Sequence, residues 1–239
     1  MTRVSENWSR PTALRSEVLM HHRMSAMVRL FQRPIPLVLG LAFCSAIPVL
    51  VALIRVVEVL VGSYPAESAR LAVAPVSWIA HALAGVAFGI TGPLQFALAL
   101  QRRFGRLYRL SGRVFLASGA LLGLSGLSLL AQVQLQSTDL LALARGVFGL
   151  ALLVALALGL TAILDRDLPR HRAWAIRAYS IGMGSGTVWI PLLPIGLITG
   201  SELTGLPMDL VFVGWWVLTI AAAEVIVRQP TRVAPRRPA

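Results

Sequence analysis

Hydrophobic residues along this chain are gathered into six long runs separated by short polar connections. Each run reaches about 20 residues, the length that crosses a bilayer as an α-helix. No alternation of apolar and polar positions is sustained, so a membrane β-barrel is not indicated. The pattern predicts an all-α, polytopic membrane bundle of six continuous spans. The predicted spans are 36–62, 75–100, 112–133, 141–163, 174–198 and 208–227.

The segments outside the spans predict two further regions. Between Leu14 and Phe31, helical spacing gathers methionines on one side and arginines on another, which is typical of an amphipathic helix lying in the membrane surface. The first apolar run has full span length and no convincing cleavage site, so it is not expected to be a signal peptide. The chain is therefore divided into a cytoplasmic basic segment (1–34), a membrane domain (35–227) and a basic tail (228–239) that is expected to be disordered.

Composition supports a membrane protein and excludes several other classes. Hydrophobic residues make up 56% of the 239 positions and charged residues only 13%, with a mean hydropathy of +0.75, far from a typical soluble domain. In a soluble protein the net charge of +12 would suggest nucleic acid; here it is interpreted as membrane topology, and no nucleic-acid partner is expected. The single cysteine, Cys44, lies in an apolar run, which excludes a disulfide framework.

The distribution of arginine predicts the orientation in the membrane. The N-terminal segment, the second and fourth connections and the tail are rich in arginine, whereas the alternate connections hold little beyond Arg70 and Arg145. Basic residues accumulate in cytoplasmic loops. Both termini are therefore expected to face the cytoplasm.

Two of the basic connections have a similar arrangement of aromatic and basic residues. Tyr108-Arg109 in "RRFGRLYRLSGR" is echoed by His171-Arg172 in "HRAWAIR". We expect the two loops to meet at the cytoplasmic boundary and bind a lipid headgroup or another anion, because arginine forks match phosphate and carboxylate. Glu224 is a candidate partner for one arginine. The candidate ligand-binding residues of these loops are Arg102, Tyr108, Arg109, Arg113, His171, Arg172, Trp174 and Arg177. In the alternative interpretation, the arginines only determine topology and Trp174 belongs to the aromatic belt.

The second span carries a polar face. His81, Gln95 and Arg102 lie on one side of a helix. Polar groups within a span are costly and usually face the protein interior, so His81 and Gln95 are expected to contact other helices and are further candidate ligand-binding residues. Interhelical hydrogen bonding remains one interpretation, and a ligand, haem or proton-handling role remains the other. Arg55 and Glu58 in the first span have helical spacing, and snorkelling at the outer interface explains them.

Three stretches carry a family resemblance: "HALAGVAFGITGPLQF", "RLYRLSGRVF" and "HRAWAIRAYSIG". They resemble the bacterial integral membrane proteins of domain of unknown function 2306 over roughly residues 75–227. The resemblance implies a multi-pass helical domain in the bacterial cytoplasmic (inner) membrane, and no reaction. Tyr108 departs from the family, which tends to have His there. The family's motif residues fall on His81, Gly92, Pro93, Gln95, Phe96, Arg109, Gly112, Arg113, His171, Arg172, Trp174, Arg177 and Tyr179.

Three function classes remain open. The first is a non-enzymatic membrane protein that binds a lipid headgroup or other anion through its Arg/His cluster, with the bilayer, anionic lipids and a homo-oligomer or membrane partner as expected partners. The second is a b-type haem or quinone-linked redox protein; His81 and His171 lie about a membrane thickness apart, which disfavours haem ligation by both. The third is a small transporter, although the spans show no evident discontinuity. No P-loop, nucleophile elbow or zinc-protease motif indicates an enzyme, and no cofactor is expected.

Overall fold

A computed structural model of the protein describes residues 34–63, 72–97, 103–133 and 138–228. The amphipathic segment and the basic tail predicted from the sequence lie outside the described residues, and so does Arg102. The described part of the chain is all-helical and contains no strand.

Seven helices account for the described spans. They are α1 (Pro34–Val61), α2 (Pro75–Gln95), α3 (Gly105–Gln132), α4 (Asp139–Leu164), α5 (Leu168–Gly184), α6 (Trp189–Thr199) and α7 (Gly205–Arg228). Six segments are long and apolar enough to cross a membrane, because α5 and α6 together supply the fifth, Leu168–Thr199. The prediction of an all-α, six-span, multi-pass membrane protein is confirmed.

The fifth span is broken, whereas the sequence predicted a continuous helix. The α-helix ends at Gly184 and resumes only at Trp189. Pro191 explains the break, since a proline lacks the amide hydrogen and its ring collides with the carbonyl four residues earlier, here that of Thr187. The Thr187 carbonyl instead accepts from the backbone N–H of Ile190 at 3.0 Å, which satisfies this acceptor beside the break.

The two arginine-rich connections are largely helical, which corrects their prediction as loops. The third span begins at Gly105 rather than near 112, and the fifth begins at Leu168 rather than near 174. At the start of α5 the Asp167 side chain accepts a hydrogen bond from the backbone N–H of Arg170 at 3.0 Å. Asp167 is therefore the N-cap of this helix. The helices therefore continue past the apolar runs into the arginine-rich segments.

Helices α2, α3, α4 and α5 form a central bundle in which each packs against the next and α5 contacts α2. Helix α1 packs on α2, and α7 packs on α4 and α5. Phe88 of α2 lies at the centre and is fully buried. It stacks on Phe115 with ring centroids 4.6 Å apart. A Cβ atom at Gly182 would lie 2.6 Å from the Phe88 ring, so the missing side chain is what lets α5 approach α2.

Candidate functional site

Most of the charged residues that the structure describes lie at one end of the bundle. The C-terminal ends of α2, α4 and α7 lie there with the N-terminal ends of α3 and α5. Nine described arginines stand against three acids at this arginine-rich end, namely Arg103, Arg106, Arg109, Arg113, Arg166, Arg170, Arg172, Arg177 and Arg228 against Asp165, Asp167 and Glu224. The excess of positive charge means that most of these guanidinium groups have no carboxylate to pair with among the described residues at this end.

Arg177 is the exception, because it is paired with Glu224. Its Nε lies 2.5 Å from Oε1 of the carboxylate and its Nη2 lies 3.1 Å from Oε2. The guanidinium also stacks over the ring of Trp174, 4.6 Å from the ring centroid. The predicted partnership of Glu224 with an arginine is confirmed. Arg177 thus joins α5 to α7, and its charge is already neutralised by Glu224.

His171 holds the start of α5 against α4. Its Nδ1 lies 2.7 Å from the backbone carbonyl oxygen of Gly159. A carbonyl only accepts, so Nδ1 carries the proton and donates. Trp174 packs against the same glycine, whose missing side chain leaves room for it. Both residues have a packing role at the arginine-rich end.

Gln95 connects α2 to α3, as predicted for a polar group within a span. Its Nε2 donates to the Ser111 hydroxyl at 3.0 Å, and the Tyr108 hydroxyl donates to its backbone carbonyl at 3.2 Å. The charge of Arg172 lies close enough to Tyr108 for an electrostatic interaction. The two arginine-rich segments therefore approach each other at Tyr108 and Arg172.

Arg109 and Arg113 lie on the exposed side of α3. Both are exposed, and they lie about half a helical turn from Ser111 and Phe115, which are buried on the core side of α3. Neither makes an ion pair with any described residue. Arg172 thus interacts with Tyr108 and Arg177 is paired with Glu224, and one shared anion-binding surface of the two segments stays a prediction.

His81 lies in the other half of the bundle. Its Nδ1 is 3.2 Å from the hydroxyl oxygen of Ser125 on α3. The Ser125 hydroxyl donates to the backbone carbonyl of Leu121 at 2.6 Å, so its oxygen accepts from Nδ1. The prediction that His81 contacts another helix is confirmed. In a neutral imidazole with Nδ1 protonated, Nε2 is left as an acceptor.

A cavity of about 310 Å³ lies beside His81 among α2, α3, α4, α5 and α7. We call it the chamber, and its polar and aromatic lining includes Trp78, His81, Arg145, Phe148, Ser185 and Trp216. Sequence reasoning assigned Arg145 to an outer connection, but it lies inside α4, almost two turns from its start. An ionisable residue at such a depth is a signal that could have indicated this site.

A second volume, the cleft, opens between α1, α2 and α6. It measures about 680 Å³ and its walls are mostly apolar. Trp78, His81 and Ser185 line both the chamber and the cleft. The indole Nε1 atoms of Trp78 and Trp189 are buried there without a hydrogen-bond partner in the described chain, which is costly for a donor in a dry environment.

The two described histidines are too far apart to ligate one iron atom. Along α2, fourteen residues separate His81 from Gln95, about 21 Å at the rise of an α-helix, and His171 lies at the Gln95 end. The described residues also contain no group of three or more His, Cys, Asp or Glu side chains that could hold a metal ion. These positions oppose haem ligation by His81 and His171 of one chain.

Comparison with known proteins places the helical core of this chain in a family. The family model described as "Predicted membrane protein (DUF2306)" matches residues 78–227, which is more than half of the chain. No curated protein and no solved structure is significantly similar to the chain. The matched region runs from Trp78 beside the chamber to the last turn of α7 and includes both arginine-rich segments. The chain belongs to the DUF2306 family of membrane proteins.

Proposed function

We propose that the protein is a non-enzymatic component of the bacterial cytoplasmic membrane that binds anionic lipid headgroups at its arginine-rich end. The observation that carries the proposal is the contrast between paired and unpaired arginines. Arg177 is paired with Glu224, whereas Arg109, Arg113 and Arg172 are exposed and make no ion pair with described residues. At headgroup depth, lipid phosphate is the counter-ion available to them.

The geometry of α3 suits a phosphate. Arg109 and Arg113 are four residues apart on one face of the helix, so their guanidinium groups can reach the same or adjacent headgroups. Guanidinium forks bind phosphate through two parallel hydrogen bonds. An arginine near an anionic surface contributes on the order of 1 kcal/mol. Two of them would therefore favour an anionic over a zwitterionic lipid by roughly 30-fold.

The orientation supports the same proposal. Arginine-rich ends of membrane proteins face the cytoplasm, and the cytoplasmic leaflet carries the anionic lipids. With the arginine-rich end inside, Arg109, Arg113 and Arg172 would lie at the surface that holds their counter-ions.

The test is a direct comparison of lipid affinity. The purified protein in an uncharged detergent is titrated with short-chain phosphatidylglycerol, with phosphatidylcholine as the reference lipid, and bound lipid is counted by native mass spectrometry. Arg109→Gln/Arg113→Gln is expected to weaken phosphatidylglycerol binding by roughly 30-fold and leave phosphatidylcholine unchanged. The control, Arg55→Gln/Arg228→Gln, removes the same charge from arginines that already have Glu58 and Glu224 as partners. Equal affinities in the parent and the Arg109/Arg113 variant would mean that these arginines serve topology alone.

A transporter is the second candidate, and the broken fifth span favours it. Discontinuous helices form the substrate sites of many transporters, and Ser185 at this break lines both the chamber and the cleft. In a carrier, Ser185→Cys in a Cys44→Ala background should react with a membrane-impermeant thiol reagent from either side of the membrane. Reaction from one side only would oppose alternating access.

A further inference from the structure

The chamber and the cleft lie in the half of the bundle away from the arginine-rich end, and headgroup binding does not explain them. We propose that together they form a site for a lipid-soluble quinol. The oxygen-bearing ring occupies the chamber, and the hydrocarbon tail leaves through the cleft into the bilayer.

The shape and lining of the chamber favour a planar ring. Its volume of about 310 Å³ is at the lower end of the range for small-molecule sites. Phe148 and Trp216 form an aromatic pair in its wall, with ring centroids 4.6 Å apart. Trp78 meets the His81 ring edge-on at 6.4 Å in the opposite wall. Aromatic side chains on two sides can stack on a flat head or meet it edge to face.

The polar groups of the chamber complement a hydroxyl or carbonyl oxygen. Ser125 makes Nδ1 of His81 the donor, so Nε2 is an acceptor for a quinol O–H group. Trp78 supplies an indole N–H that has no partner in the described chain, and Arg145 supplies a guanidinium group in the same lining. Donors and an acceptor around one small volume match a head that both donates and accepts.

These groups favour an uncharged head over a fatty-acid carboxylate. A carboxylate has only acceptor atoms, so it would place its lone pairs against the lone pair of His81 Nε2. A quinol hydroxyl satisfies Nε2 and brings no buried charge.

The cleft gives the tail a path to the lipid. Its apolar walls come from α1, α2 and α6, and include Val51 of α1 and Leu192 of α6. Gly196 widens the cleft, since a Cβ atom there would meet nothing within 4 Å. Trp78, His81 and Ser185 belong to both linings, so a ring held by His81 has its tail at the entrance of the cleft.

The test separates the ring from the tail. Isothermal titration calorimetry of the purified full-length chain under anaerobic conditions reports binding of decylubiquinol, which has a tail, and of a tail-less ubiquinol analogue. His81→Phe keeps a ring but removes the acceptor, and it is expected to weaken both ligands about tenfold. Gly196→Leu narrows the cleft and is expected to weaken only the tailed ligand, by about tenfold.

The matched control is Gly40→Leu, the same substitution at a position of α1 where a Cβ atom also meets nothing within 4 Å. It is expected to leave both affinities within twofold of the parent. The proposal is overturned if decylubiquinol does not bind saturably to the parent chain, or if His81→Phe and Gly196→Leu leave both affinities unchanged. Tighter binding of palmitate than of decylubiquinol in the same titration would also overturn it, in favour of an anionic amphiphile.

Discussion

The ring of Tyr179 on α5 occupies the space that a side chain at Gly92 on α2 would need. From that position the Tyr179 hydroxyl lies 2.7 Å from the Ser45 hydroxyl of α1. One glycine therefore lets a single tyrosine connect three helices, since a larger residue would displace the ring from its partner.

Gly92→Ala is predicted to destabilise the bundle by about 1–3 kcal/mol, because the added methyl group collides with the Tyr179 ring in a close-packed core. Thermal unfolding in detergent measures the effect. Gly40→Ala, with open space around it, is the control for the helix propensity that any Gly→Ala change adds. Equal melting temperatures for the two variants would contradict the collision.

Ser45→Ala and Tyr179→Phe are each predicted to cost about 1 kcal/mol, since the hydroxyl–hydroxyl bond is buried and each change leaves the other hydroxyl without this partner. The double variant should cost less than the sum of the single variants, because the same bond is lost in each. Additive losses in a double-mutant cycle would show that the two hydroxyls do not interact.

Glu224→Gln is predicted to lower stability by on the order of 1 kcal/mol, because it removes the carboxylate that neutralises Arg177. The figure is modest because the two side chains remain 24% and 29% exposed, and solvent screens such pairs. Glu202→Gln is the control, at an exposed acid without an ion pair in the described chain. Chemical unfolding is expected to show a larger loss of stability for Glu224→Gln than for Glu202→Gln. Similar losses would show that the pair of Arg177 and Glu224 contributes nothing to stability.

The predicted orientation is tested by reporter fusions. Truncations that place a reporter after Arg109 or after Arg170 are expected to report the cytoplasm, and one placed after Asp139 is expected to report the outside, because arginine-rich connections stay inside. A periplasmic signal from either arginine-rich fusion would reverse the topology. It would also place the arginine-rich end at the outer leaflet, which contradicts the proposed binding of headgroups in the cytoplasmic leaflet.

The six spans could be predicted from the sequence because the bilayer leaves few alternatives. In hydrocarbon every backbone polar group must be satisfied within the protein, so an apolar run of span length becomes a helix. The start of α3 at Gly105 and of α5 at Leu168 could not be read from hydropathy, since hydropathy reports depth in lipid rather than hydrogen bonding. The break before Trp189 had a local signal in Gly186 and Pro191, which the apolar composition of the span obscured.

The polar contacts of His81 and Gln95 followed from sequence, since the cost of an unsatisfied polar group in a membrane requires a protein partner whatever the fold. Which partners they would have, Ser125 and Ser111, was decided by the packing of α3 on α2. The pairing of Arg177 with Glu224, the outward direction of Arg109 and Arg113, and the chamber beside Arg145 also depend on how helices distant in sequence are arranged. Hydrophobicity determined which segments cross the membrane, but a contact between two helices depends on side-chain shape and rotation about each helix axis, which only the packed bundle specifies.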